Sequence, residues 1–146
     1  MSAYPGAAEA CDSLDNDCNG YADELPSCWS CTTESGYYDC ETATAWATAA
    51  LACEGMGGYL AKIQDSSENS TIAALAITPT WIGANDIDTE NNWVWTDGNA
   101  VGYDDWASGE PDDAGDADCA ITNNSGRRGE WADMRCESEY RFVCEL

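Results

Sequence analysis

Between residues 42 and 55 the run TATAWATAALACEG sets Trp46, Ala49, Ala50 and Cys53 at i, i+3, i+4 and i+7. That spacing lines one face of a helix. A threonine opens the run and Gly55 stops it. GYLAKI (58–63) predicts a strand. DSSENSTIAALAI (65–77) predicts a second helix, with Asp65 and Glu68 spaced for a capping box. From Trp81 onward the apolar runs shorten, and strands are expected at 81–84, 93–96, 119–122, 129–132 and 140–144. Tyr140, Phe142 and Cys144 alternate in the last of these. Between them, roughly residues 85 to 118 form a long, polar, acidic loop. Ordered loops of that length in a compact domain usually carry function. Residues 28–40 read as a disulfide-stapled hairpin or loop, with Cys31–Cys40 the favoured bond. The first 27 residues show almost no apolar pattern and read as loops. The expected organisation is a small loop-rich motif over 1–27 and an α+β domain over 28–146, two helices with short antiparallel strands. No internal repeat is visible.

Composition narrows the chemistry. The 146 residues include 28 acidic and five basic ones and no histidine, a formal net charge of −23. Such a surface repels nucleic acid and anionic lipid and suits divalent cations. No apolar run approaches the length needed for membrane insertion. Met1-Ser2-Ala3 leads directly into YPGAAEACDS, without the basic and apolar segments of an export signal. The expectation is a signal already removed, or an excerpt of a longer precursor. Without histidine, neither a Ser-His-Asp nor a Cys-His system can be built. Carboxylate-pair glycosidase chemistry stays open in principle, but no nucleophile motif speaks for an enzyme, so the chain reads as a non-enzyme. Nine cysteines with a single C-x-x-C (Cys28 to Cys31) indicate disulfides, and therefore a secreted, extracellular or cell-surface setting. Nine is odd. One thiol is free, pairs with another chain, or pairs with a missing part of the precursor, and Cys28 is the leading candidate.

Two stretches gather oxygen ligands. In CDSLDNDCNGYADE (11–24), Asp15, Asp17 and Asn19 alternate before Gly20. Alternate side chains can aim oxygens at one calcium ion, the Tyr21 carbonyl can add another, and Asp23 or Glu24 can close the shell. An EF-hand would require glutamate where Pro26 stands. Cys11 and Cys18 bracket the loop and are expected to clip it shut. With YPGAAEACD before it, the run resembles the MopE-like metal-binding repeats of secreted bacterial proteins, which implies a bacterial source and further repeats upstream. The second stretch is GEPDDAGDADC (109–119), with five carboxylates in eleven residues.

TAWATAALAC…GGYLAKIQDSSEN, WIGANDIDTENNWVWTDG, YDDWASGEPDD, WADMRC and FVCE occur in order. Together they resemble the C-type lectin-like domain over about residues 31 to 146. The resemblance implies that fold, with bonds Cys53–Cys144 and Cys119–Cys136, and Cys31–Cys40 as the extra pair of the long form. In the chain-entropy model the first closes a loop of about 90 residues and contributes about 4–5 kcal/mol, the second about 3 kcal/mol. Trp81, Trp93, Trp95, Trp106 and Trp131 are expected to pack as core beneath the long loop. The resemblance also implies calcium. Asp86, Glu90, Asp113 and Asp118 match an auxiliary site. Glu110, Asp112 and Asp133 match the principal site, where such lectins bind sugar, with Asp116 as a compensating ligand. The Glu110–Pro111 bond is a candidate cis peptide. One to three ions are expected, counting the N-terminal motif.

The match departs from the sugar-binding pattern in places. The family's mannose-type triplet is Glu-Pro-Asn and its galactose-type is Gln-Pro-Asp, but this chain has EPD. Trp-Asn-Asp becomes WAD, and Ala117 stands where an acid is expected. Carboxylates only accept hydrogen bonds, so Glu110, Asp112 and Asp133 offer a sugar no donor. Calcium-dependent carbohydrate binding is the first expectation. The alternative is a calcium-stabilised structural or protein-binding module, such as an adhesin, surface-layer or filament subunit. The expected partner is thus a glycan or an extracellular protein, with self-assembly or an intermolecular disulfide as a further route. The sequons NST (69–71) and NNS (123–125) are expected to be idle, given the bacterial source.

Overall fold

In the computed structural model, which describes residues 4–5, 7–8, 10–23 and 25–146, the central sheet is covered on both faces. Its strands are β1 (Cys31–Glu34), β2 (Tyr37–Thr44), β3 (Tyr59–Leu60), β4 (Thr80–Asn85), β5 (Cys119–Thr122), β6 (Ala132–Met134) and β7 (Tyr140–Glu145). The helices are α1 (Trp46–Gly55) and α2 (Ser66–Leu75). The strand order is β1-β2-β7-β4-β5-β6, with β3 also paired to β7. Successive strand residues point to opposite faces, and here each face has its own core. Trp81, Cys119, Ile121, Phe142 and Cys144 join α1 residues Trp46, Ala49, Ala52 and Cys53. Ile82, Ala84, Ala120 and Val143 join Ile72 and Ala76 with Trp95 and Trp131. Strand β4 is buried at all six positions for this reason.

The α+β class holds, and several elements differ from their sequence reading. The ladder is antiparallel except between β4 and β7, which run parallel. The chain's last strand enters the middle of the sheet between β2 and β4, a placement local pattern cannot show. The threonine start of α1 is replaced: Thr44 ends β2, Ala45 is the cap without a side-chain bond, and the Trp46 amide donates to the Cys136 carbonyl at 2.9 Å. Ala52 rather than Ala50 completes the buried face. Asp65 does cap α2, accepting from the Glu68 amide at 2.9 Å, but Glu68 returns its bond to Gln64 at 2.7 Å instead of to Asp65. The 58–63 strand shortens to two residues, and 93–96 contributes only single bridges from Val94 to Asn85 and Ala100. The strand placed at 129–132 starts at Ala132.

Two glycines explain how closely the backbones approach. A Cβ at Gly83 would lie 2.8 Å from the Leu60 carbonyl oxygen, and one at Gly58 would collide with the Glu145 carbonyl. No regular strand forms between Asn85 and Cys119. That long loop is laid over an aromatic cluster in which Trp131 meets Trp95, Tyr103 and Trp106 edge-on at 5.9, 6.1 and 5.6 Å. Trp81 packs elsewhere, on Tyr140 in the α1-side core.

Candidate functional site

Four disulfides join Cys11–Cys28, Cys31–Cys40, Cys53–Cys144 and Cys119–Cys136. The last three are the expected pairs. The expected Cys11–Cys18 clip is overturned, and with it the choice of Cys28 as the odd thiol: Cys18 is free and exposed. The reason lies in Trp29. Its indole donates to the Asp23 carbonyl at 2.7 Å and packs edge-on against Phe142 at 5.6 Å. This holds the short 3-10 turn Pro26–Trp29, and hence Cys28, against the start of the motif.

In the N-terminal motif the acidic side chains fold the loop around its own amides. Asp15 accepts from the amides of Asn19 (3.1 Å) and Gly20 (2.8 Å), and Asp17 also accepts from Asn19 at 3.1 Å. The Asn19 side chain accepts from Tyr21 at 2.9 Å. Gly20 has φ +100°, the left-handed turn that glycine permits. Asp23 accepts from the Asp12 and Ser13 amides, so it braces the loop entrance. Glu24, the other residue expected to close the shell, lies outside the described residues.

Among the described residues, three carboxylate groups bring ligand oxygens within 4.8 Å of one another, all in the long-loop region. They are Asp86–Glu90–Asp118, Glu110–Asp112–Asp133 and Asp113–Asp116–Asp118. All eight long-loop candidates are therefore in one group or another. Asp116, expected beside Glu110, instead groups with Asp113 and Asp118. Ala117 is buried at 3% exposure. The Glu110–Pro111 bond is cis.

Backbone amides set the loop's shape. Asp133, on β6 and only 5% exposed, accepts from the amides of Asp112 (3.1 Å) and Asp113 (2.7 Å). Asp113 accepts from Ala117 at 3.0 Å. Asp86 directly follows β4, accepts from the Asn91 amide at 2.8 Å, and donates its own amide to the Asp118 carbonyl at 3.0 Å. Two buried carboxylate oxygens, Asp86 Oδ1 and Glu110 Oε2, have no hydrogen-bond donor. A buried acceptor without a donor costs free energy unless something positive meets it.

The electrostatics show the same strain. Burial, a contact with the Asp133 carboxylate and repulsion from Asp112 push the Glu110 carboxyl up to about 7. Burial raises Asp86 too, as do Asp118 and Asp133, partly offset by the Asn91 amide. Asp118 rises through burial and through Asp116 and Asp113. A divalent cation would reverse each of these effects, because it favours the charged form. Oxygen-only donors of irregular arrangement suit calcium. Asp86, Glu90 and Asp118 could hold one ion, Glu110, Asp112 and Asp133 another, and Asp113 stands with Asp116 in a third group that shares Asp118.

Sequence reasoning missed Asn69. It is a polar residue on the buried face of α2, beside Ile72 and Ala73, and that misplacement was the available signal.

A disulfide-framed α+β domain whose long, little-structured loop gathers acids over a tryptophan cluster defines the class of C-type lectin-like domains. The chain belongs to that family: the lectin C-type domain model matches residues 42–146. A second family, described as "Putative metal-binding motif", matches residues 1–24. Lectin BRA-3 of Megabalanus rosa is 36% identical over 104 residues, covering 69% of this chain and 64% of BRA-3. The chain thus spans just under two thirds of that relative. The cow C-type carbohydrate-recognition domain of CD23, solved in the presence of GlcNAc2Man3 oligosaccharide, superposes with TM-score 0.70 at 31% identity. That match covers 80% of this chain and 96% of the other. A calcium-independent type II antifreeze protein gives TM-score 0.70 at 26% identity, covering 80% and 90%. The lectin relatives are binding proteins, not enzymes.

Proposed function

We propose that residues 28–146 form an extracellular, calcium-dependent carbohydrate-binding module, and that residues 1–27 form a separate small calcium motif docked on it. The observation that carries this reading is the pair of buried, donorless oxygens on Asp86 and Glu110, each within a group of three converging carboxylates. Calcium at Glu110, Asp112 and Asp133 would supply open coordination positions for two sugar hydroxyls, while the carboxylates accept the hydroxyl hydrogens. Four disulfides fit an oxidising, extracellular setting. Among the described residues no helix is long and apolar enough to cross a membrane.

One observation favours a second reading, a calcium-stabilised module that binds protein. Asp133 already uses both oxygens on loop amides, and Ala132 supplies no amide donor. A sugar oxygen needing a donor would go unserved, at a cost of about 1–3 kcal/mol. A glycan array run in calcium and again in EDTA, with a thermal melt on each sample, separates the two. Calcium-dependent glycan spots support the first reading. A blank array with a calcium-dependent melt supports the second. No response to calcium in either measurement overturns both.

A further inference from the structure

We infer that Asn69, on α2, is the positioning residue of the acidic loop, a role that rests on the calcium-site reading above but is tested separately from it. The residue is 4% exposed. Its Nδ2 donates to Asp105 Oδ2 and to the Gly129 carbonyl, both at 3.0 Å. Its Oδ1 accepts from the Trp131 indole at 2.9 Å. The Tyr103 hydroxyl interacts with the same amide. One side chain therefore ties α2 to the middle of the long loop, to the turn before β6, and to the indole on which the loop rests. Asn123 braces the same turn from its other side, accepting from the Gly129 amide at 2.8 Å and donating to the Ala73 carbonyl at 3.3 Å.

These contacts lead to the acids in two short steps. Trp131 and the Asp105–Ala107 segment exchange backbone bonds, Trp131 to Asp105 and Ala107 to Trp131, both at 2.8 Å. Two residues beyond Trp131, Asp133 receives the amides of Asp112 and Asp113. On the loop side, the Glu110 amide donates to Ala107 at 2.9 Å. The three acids of the principal group therefore hang from the two segments that Asn69 clasps, the loop at Asp105 and the stretch from Gly129 to Trp131. Only a carboxamide serves here, because the position needs two donated hydrogens and an acceptor on one short side chain. Aspartate has the same shape, but it would present a carboxylate to Asp105 and leave the Gly129 carbonyl unpaired.

The test is amide hydrogen exchange in EDTA on the full chain, comparing wild type, Asn69→Asp and the double substitution Asn69→Asp/Asp105→Asn, which exchanges amide and carboxylate. The expected result is exchange faster by about tenfold or more at Ala107, Glu110, Asp112 and Asp113 in Asn69→Asp. The β2 and β7 amides keep wild-type protection, and the double substitution, which restores the bond between residues 69 and 105 but leaves the Gly129 carbonyl unpaired, recovers part of the loop's protection. Unchanged loop exchange, acceleration spread equally over β2 and β7, or no recovery in the double substitution would each overturn the inference. Should Asn69→Asp not fold, Asp105→Ala on the exposed side of the same bond carries the same expectation. Calcium affinity is then measured by calorimetry well below the melting temperature, with a loss of about tenfold expected for Asn69→Asp. A wild-type protein that takes up no calcium would sink the calcium reading, while the exchange measured in EDTA still decides the role of Asn69.

Discussion

Asp133 does two jobs that conflict without an ion. Its oxygens hold the Asp112 and Asp113 amides, yet its charge faces Glu110. Asp133→Asn keeps an acceptor for one amide and removes the carboxylate charge that faces Glu110. It should therefore stabilise the calcium-free form, by roughly 1 kcal/mol, while weakening calcium binding. Urea unfolding in EDTA and in calcium should show these opposite signs; a loss in both conditions would contradict the argument. The same residues set a pH dependence. Glu110 rises from 4.5 to about 7 in the fold, so between those values the folded state holds a proton that the unfolded chain has released. Stability in EDTA should then fall as pH rises through that window. Asp86 and Asp118 shift in the same direction. Calcium affinity should rise over the same window, because the proton must leave first. A flat or rising EDTA profile between pH 5 and 7 would argue against the raised Glu110. At this scale the sequons also close: Asn69 and Asn123 are both buried and bonded through their amides, so in the folded domain neither can carry a glycan without losing those bonds.

Among the elements, the disulfides do unequal work. Cys53–Cys144 spans 91 residues and joins α1 to the central strand β7, whereas Cys119–Cys136 spans 17. Replacing the first pair with alanine should cost about 4–5 kcal/mol and the second about 3 kcal/mol. Chemical denaturation of the two double variants checks the order, and a larger loss from the shorter bridge would show that packing outweighs loop entropy. These pairs were legible because the motif order places them. The Cys11 pairing was not. Spacing favoured Cys18, but Trp29 docks on Phe142 and the Asp23 carbonyl, which carries Cys28 to Cys11. The start of α1 shows the same limit, since the Trp46 amide is satisfied by the distant Cys136 carbonyl.

The whole molecule carries a formal charge of −23, and eight of its 28 acidic residues converge in the three carboxylate groups. Calcium at about a hundred times its dissociation constant should stabilise the fold by about 2.7 kcal/mol. That corresponds to a rise of roughly 5–10 °C in melting temperature for a chain of this size. Differential scanning calorimetry with calcium, magnesium and EDTA measures it, and equal effects of magnesium would point to general charge screening. The free, exposed Cys18 gives a simple check of the covalent frame. A maleimide added to the native protein should modify one thiol, within the peptide containing Cys18. Modification at Cys28 would restore the pairing that the structure replaces.

The two helices were legible locally, because periodicity lies within short stretches, whereas the domain disulfides and the long-loop acids were legible through the family resemblance that the order of motifs carries. Tertiary structure alone decided which acids share an oxygen cluster, moving Asp116 from Glu110 to Asp113 and Asp118. It also decided which cysteine stays free, the parallel pairing of β4 with β7, and the place of Asn69 between helix, turn and loop. The physical reason is common to these cases. Each depends on contacts between residues far apart in the chain, where a single buried hydrogen bond or ring contact selects among partners that spacing leaves equivalent.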